Sequence, residues 1–262
     1  MKATATANPR ILEWEGVLNA RDTGGIPAAT GTIRRGALVR SGVLNGLTPA
    51  GVEALTEHGV RTVIDVRAAD EIADHWDRYP LREHPIVGYR NLSFTAGHDE
   101  RMRDQVRAVY AAAQSREEIN RLDLDNHRDG IAAIVAAIAD APPGGVLIHC
   151  HAGKDRTGLV VALTLSAIGV SDEDIADDYA LSQLVLDELV REWFAYIGAA
   201  ASEQGRLRAL ADPSRDAMLG TLDHLHQRYG GAQAYLLGAG VTEAQLARLL
   251  ARLVDADGSS QA

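Results

Sequence analysis

The stretch Val146-Leu147-Ile148-His149-Cys150-His151-Ala152-Gly153-Lys154-Asp155-Arg156-Thr157-Gly158, continued by Leu159-Val160-Val161-Ala162-Leu163, constrains the fold more than any other part of the chain. An apolar run, a short polar segment with glycine and a second apolar run read as a buried strand that turns directly into a helix. Cys150 then stands at the strand's end and Arg156 lies six positions on, both carried by one tight turn. Backbone N–H groups at a helix N-terminus favour negative charge, so such a turn is built to hold an anion. The same field favours a thiolate over a thiol.

The rest of the chain supplies the elements that would surround this turn. Ile33 to Val39 and Val60 to Val66 are β-branched runs bounded by glycine and read as strands. Between them Thr48-Pro49 offers an N-cap and an N1 proline, and Gly59 a stop, which predicts a short helix. Pro85 to Phe94 is a further strand candidate. Ser115-x-x-Glu118 is a capping box, and Ile131, Ile134, Val135 and Ile138 place a helix over residues 128–139. Pro142-Pro143-Gly144-Gly145 then turns the chain into the strand before Cys150.

Beyond Thr157 the pattern is helical. Ser171-x-x-Asp174 caps a segment running towards Leu189, and an alanine- and charge-rich region follows over residues 192–210. Asp212-Pro213 starts a helix that ends near Tyr229-Gly230-Gly231. Thr242-x-x-Gln245 caps the last one, with Leu246, Leu249, Leu250 and Leu253 as its buried stripe. The expected class is α/β, a mostly parallel central sheet with flanking helices and a helical C-terminal half. No repeat or interdomain linker interrupts it. The first ten residues and the tail after Val254 read as frayed, so a single domain is expected over residues 11–255, with 1–10 and 256–262 as flexible ends.

Composition narrows the function. At 46% hydrophobic and 24% charged, the 262 residues can bury a substantial core. Cys150 is the one cysteine, which excludes an internal disulfide and favours reducing surroundings for an oxidisable thiol. The N-terminal MKATATANPRILEWEG lacks a signal-peptide core, and no apolar run approaches membrane-spanning length. A cytoplasmic location without integral membrane association is therefore expected. A net charge of −10 opposes nucleic-acid binding, which needs a basic surface.

The turn itself can support displacement at phosphorus. Cys150 would attack in line with the leaving oxygen, while the N–H groups of residues 151–156 and the planar fork of Arg156 hold the three equatorial oxygens. Thr157 offers a hydroxyl hydrogen bond to the sulfur. Such catalysis rests on positioning and preorganised charge, and no metal or cofactor is expected. The leaving group needs a proton; Asp155, within the loop, is the candidate acid, and Asp65, at the end of the second strand, the alternative. His149 reads as a donor behind the loop, and His151, Ala152 and Gly153 as pocket lining. Lys154 stands between a solvated lysine and a substrate-phosphate contact.

Cys-x5-Arg followed by Thr157-Gly158 resembles the phosphate-binding loop of the cysteine-dependent protein tyrosine phosphatases. The fuller string HCHAGKDRTG is similar to the bacterial PtpB-type tyrosine and phosphoinositide phosphatases. Asn19-Ala20-Arg21-Asp22-Thr23-Gly24-Gly25 resembles that family's N-terminal NxRDxGG element, and Arg40-Ser41-Gly42, Leu47-Thr48-Pro49 and Asp65-Val66-Arg67 follow in its usual order. Tyr229-Gly230-Gly231, Tyr235-Leu236 and Gly240-Val241-Thr242 are similar to its closing helical segment.

The resemblance implies a three-layer phosphatase fold and a helical lid within residues 180–212. It makes Cys150 the phosphocysteine nucleophile, Arg156 the phosphate ligand and Asp155 an acid inside the loop. Lys154 matches a position that holds extra phosphates in lipid-directed members. Arg21 and Asp22 either enter the site or brace the loop. His151 and Ala20 depart from the bulkier residues of the family pattern. The implied partners are phosphorylated proteins or phosphoinositides. The competing readings are a catalytically silent phospho-binding module and a rhodanese-type sulfurtransferase, whose loop lacks the Cys-x5-Arg spacing.

Overall fold

The computed structural model describes residues 8–73, 79–96, 111–198 and 200–256. Its centre is a five-stranded sheet. Strands β1 (Arg21–Asp22), β4 (Leu38–Ser41), β5 (Val60–Asp65), β6 (Gly88–Asn91) and β7 (Gly145–His149) lie in the order β1-β4-β7-β5-β6. All neighbours run parallel except β1, which is antiparallel to β4. Every residue of β7 is buried, as expected for a strand covered on both faces.

Alternation along the strands divides the core into two layers. Leu147 sits beside Val39 and Val63 and packs with Trp14, Leu44 and Leu55 on one face. Ile148 and Ile64 point to the other face. Helix α1 (Pro49–Glu57) belongs to the first side, its N-cap Thr48 accepting from the Gly51 N–H at 3.2 Å. On the second side lie α3 (Arg116–Asn126), α4 (Arg128–Ala139) and α5 (Asp155–Ala167), backed by α9 (Arg215–Tyr229), α10 (Ala232–Gly238) and α11 (Glu243–Leu253). A short helix α2 (Ala69–Ala73) follows β5. The result is the three-layer α/β domain that the alternation of strands and helices predicts.

Several details differ from expectation. The strand read over residues 33–39 breaks at Gly36, whose φ of +73° turns the chain. Ile33 ends β3 (Gly31–Ile33), which pairs with β2 (Pro27–Ala28) and β8 (Val254–Ala256) in a separate antiparallel sheet. The chain after Val254 is thus paired through Ala256, while the rest of the tail expected to fray, residues 257–262, lies outside the described residues. At the other end Arg10 is anchored, its Nη1 lying 2.7 Å from Asp178 Oδ1. The helix capped by Ser171 stops at Ala180 (α6, Asp172–Ala180), because a 3-10 turn over Leu181–Val185 is pinned through the Ser182 hydroxyl to Asn19 and Arg21.

Beyond that turn, α7 (Leu186–Ile197) and α8 (Ala201–Ala211) occupy the segment expected to form a lid. Leu186, Val190 and Ala211, with Phe194, form an apolar cluster of their own, separate from both main cores. In α11 the Thr242–Gln245 capping box is complete and Leu249 and Leu253 are buried, whereas Leu250 is 36% exposed and stands outside the stripe. Among the described residues no helix is long and apolar enough to cross a membrane.

Candidate active site

Strand β7 carries Cys150 to the carboxyl edge of the parallel strands, the edge where open α/β sheets place their ligands. Residues 150–154 form the turn into α5. Each of their carbonyl oxygens is held by a donor from outside the turn. His149 Nδ1 lies 3.1 Å from the Cys150 oxygen, and Val43 N–H donates to that of His151 at 2.8 Å. Asn19 Nδ2 donates to the oxygens of Ala152 and Gly153, at 3.0 and 3.2 Å. Arg40 Nη2 donates to those of Gly153 and Lys154, at 3.0 and 3.2 Å. The C=O and N–H of a planar trans peptide point in opposite directions. Pinning these five carbonyls therefore points the N–H groups of residues 151–155 away from those donors and leaves them free of carbonyl partners within the turn.

Two features of sequence make this turn possible. Gly153 has φ of +65°, and a Cβ there would be driven into the Ser41 carbonyl. Asn19 is the one non-glycine among the described residues with positive φ, at 58°. Asparagine tolerates that conformation better than most side chains. Here it aims the amide at the loop, while Arg21 Nη1 holds its Oδ1 at 2.6 Å.

Behind the turn, charge is neutralised in two buried clusters. Asp178 on α6 receives Arg10 Nη1 at 2.7 Å, Arg40 Nη1 at 2.8 Å and Arg21 Nε at 3.4 Å. Burial pushes the Asp178 carboxyl up, but the charges of Arg21, Arg40 and Arg10 hold it below the ordinary aspartate range. Asp65, at the end of β5, takes Arg67 Nη2 at 2.6 Å and the Tyr89 hydroxyl at 3.0 Å. Burial pushes this carboxyl up too, and the hydrogen bonds and charge of Arg67 hold it below the ordinary aspartate range. Burial also lowers His149, keeping it neutral. Its Nδ1–H then donates to the Cys150 carbonyl and its Nε2 accepts from the Tyr79 hydroxyl at 3.0 Å.

At the mouth stand the groups that can face a substrate. Arg156 presents both Nη atoms to Glu71 of α2, at 2.5 and 2.8 Å. Burial pushes the Glu71 carboxyl up, yet the hydrogen bonds and charge of Arg156 bring it below its ordinary value. Asp155 Oδ1 gathers Lys154 Nζ at 2.7 Å, the Tyr179 hydroxyl at 3.3 Å and Arg116 Nη1 at 3.4 Å. Burial alone would raise Asp155, but Arg116, Lys154 and Arg156 outweigh it, so its carboxyl is held low. The two cations continue to α8: Lys154 Nζ donates to the Ala211 carbonyl at 2.6 Å and Arg116 Nε to that of Leu210 at 2.6 Å. Both carbonyls belong to the last turn of α8, where positive charge is favourable.

The structure therefore brings Cys150, Ala152, Gly153, Asp155 and Arg156 together at the strand end, with His151 exposed at the mouth. Several expected site residues lie elsewhere. Arg21 is wholly buried against Asp178, Asn19 and Ser182, and so braces the loop without facing its mouth. Asp65 is likewise wholly buried and bonded to Arg67 and Tyr89, which removes it from contact with a substrate and from the acid role. Lys154 is 4% exposed and committed to Asp155 and Ala211, where a solvated lysine or a second phosphate contact was expected. The Thr157 hydroxyl is buried and makes no hydrogen bond to the sulfur. Glu71, Arg116, Asp178 and Tyr179 were not foreseen; each is a single polar residue on a helix whose partner is distant in sequence.

Comparison with known proteins agrees with this geometry. Residues 12–255 match the sequence profile of the tyrosine phosphatase family. The chain is 33% identical over 239 residues to a tyrosine-protein phosphatase of Nostoc commune, covering 87% of this chain and 78% of that one. It is 28% identical over 278 aligned positions to the triple specificity protein phosphatase PtpB of Mycobacterium tuberculosis, covering 91% and 97% of the two chains.

Proposed function

The chain belongs to the tyrosine phosphatase family and is a phosphomonoester hydrolase, and we propose that it removes phosphate from phosphotyrosine through a phosphocysteine formed on Cys150. The observation that carries this reading is the pinned turn, whose carbonyls are held from outside and whose N–H groups are thereby left free for an anion beside the thiol. Three equatorial phosphoryl oxygens meet those donors while Sγ attacks phosphorus opposite the leaving oxygen. Arg156 shares its fork between Glu71 and the phosphoryl group, adding the charge that spreads over the oxygens in the transition state.

Asp155 supplies the proton to the departing oxygen and then accepts one from the water that attacks phosphorus and releases Cys150. Its low carboxyl suits the second role directly. The first requires protonation beside the incoming dianion, whose negative charge favours the neutral acid. Cys150→Ser should abolish turnover of phenyl phosphate while retaining binding of tungstate; undiminished turnover by that variant would overturn the mechanism.

Phosphoserine, phosphothreonine and phosphoinositides fit the same donors, and the relative named for triple specificity supports extending the range to them. Contact of Lys154 with an additional inositol phosphate requires its Nζ to leave Ala211. A phosphate-release panel of phosphopeptides and short-chain phosphoinositides tests this order of preference. The oxidisable thiol of Cys150 supports a cytoplasmic place of action.

A further inference from the structure

The opposite edge of the central sheet carries a second cleft. It lies where β4, β5 and β7 begin, has a volume of about 430 Å³ and is lined by Arg34, Arg35, His58 and Arg252 over a floor rich in glycine backbone. Gly145 forms part of that floor, while the other end of β7 leads to Cys150. At about 3.3 Å per residue the strand sets the two sites roughly 15 Å apart. The cleft is therefore separate from the catalytic turn.

Its charge balance is unusual for a chain with a net charge of −10. Among the described residues no Asp or Glu lines it. Arg34 is paired, with Nε 2.7 Å from Asp255 Oδ1. His58 Nε2 lies 3.0 Å from Asp22 Oδ2. Among the described residues Arg252 donates only to the carbonyls of Ala141, Pro142 and Gly144, and its Nε is buried with no partner. Burial, and then the charge of Arg34, press the Arg252 guanidinium below its usual range. Arg35 is exposed and has no hydrogen-bond or ion-pair partner among the described residues. Two arginine charges thus converge on one concavity without a carboxylate of their own.

We propose that this cleft is a binding site for a small phosphorylated anion, held by the fork of Arg35 and the charge of Arg252, with His58 at its rim. Guanidinium forks match phosphate oxygens two at a time, and glycine backbone lets a ligand approach closely. The volume lies in the range of small-molecule sites. The anion would supply the negative charge that Arg252 and Arg35 lack.

Pyrophosphate titrated into the full-length protein at constant ionic strength, followed by amide NMR, tests this directly. The Gly36, Gly59 and Gly144 amides report the cleft, while Gly153 reports the catalytic turn independently. The expected result is a saturable shift of the cleft glycines that weakens about tenfold in Arg35→Gln and further in Arg35→Glu, with the Gly153 response unchanged. Because the Arg35 side chain is exposed and unpaired, both variants should retain the wild-type amide spectrum elsewhere. Cleft glycines that fail to shift in wild type, or shift with unaltered affinity in Arg35→Glu, would overturn the assignment.

Discussion

Replacing Asn19 tests whether outside donors orient the catalytic turn. The Asn19 amide holds the Ala152 and Gly153 oxygens, and the Ala152 oxygen has no other protein donor among the described residues. Glycine at position 19 removes those bonds while accepting the φ of 58° without strain. A buried carbonyl left without a donor costs about 1–3 kcal/mol. The unpinned 152–153 peptide can recover it by rotating towards water at the mouth, which carries the Gly153 N–H out of the ring. Loss of one preorganised donor to a developing oxyanion costs about 10²–10³-fold in kcat. Asn19→Gly should therefore lower kcat on p-nitrophenyl phosphate by about 10²-fold with a fall of only a few degrees in Tm. Asn19→Ala should lose the same activity and a further 1–2 kcal/mol or so of stability from the left-handed backbone. Steady-state kinetics and thermal unfolding of the two variants separate the effects. A folded Asn19→Gly enzyme with wild-type kcat would refute the role of carbonyl pinning.

Other perturbations probe the charges around the turn. Glu71→Gln should tighten competitive inhibition by inorganic phosphate, because Arg156 no longer faces a carboxylate, while kcat falls about tenfold from the less rigid fork; an unchanged Ki and kcat would contradict the bidentate contact. Asp155→Asn should slow phenyl phosphate by about 10²-fold and p-nitrophenyl phosphate much less, since only the poorer leaving group needs the proton. As the Asp155 carboxyl is held low, its protonated fraction falls as pH rises, so wild-type turnover of phenyl phosphate should decline towards alkaline pH and the variant should lose that dependence. Asp178→Asn should lower stability by about 3–5 kcal/mol, read by urea unfolding, because three arginines lose their shared counterion. The folded Asp178 carboxyl is depressed, so its contribution is complete above the ordinary aspartate range and disappears as pH falls through the lower folded value; the variant should lack this acid-side loss.

What the sequence made legible follows the range of the forces involved. Thr48, Ser115, Ser171 and Thr242 cap their helices as expected, because a cap is an interaction between residues three apart. The turn after Cys150 was legible for the same reason: strand, glycine and helix N-terminus are contiguous. Gly36 was harder, since a β-branched run on both sides hides a bend that only its positive φ reveals. Arg21 and Asp65 carried site-like signals but are spent on Asp178 and Arg67, and burial of that kind depends on which helices pack over them. Glu71 and Arg116 left no local trace, since each acts on a residue reached only when the sheet is assembled.

An anion site on so acidic a chain is a matter of arrangement. Among the described residues every cation near the turn has a carboxylate: Arg21 and Arg40 share Asp178, Arg67 has Asp65, Lys154 and Arg116 share Asp155, and Arg156 has Glu71. Pairing of this kind leaves little net positive charge to attract a phosphate from a distance. Attraction must then come from the fixed N–H dipoles at close range, with Arg156 exchanging part of its contact with Glu71 for phosphoryl oxygen. Dipoles held by Asn19 and Arg40 require no reorganisation when charge develops on phosphorus, whereas an unpaired cation would bind free phosphate as readily as the transition state. The neutralised surroundings thereby favour the reacting phosphoryl group over the product anion.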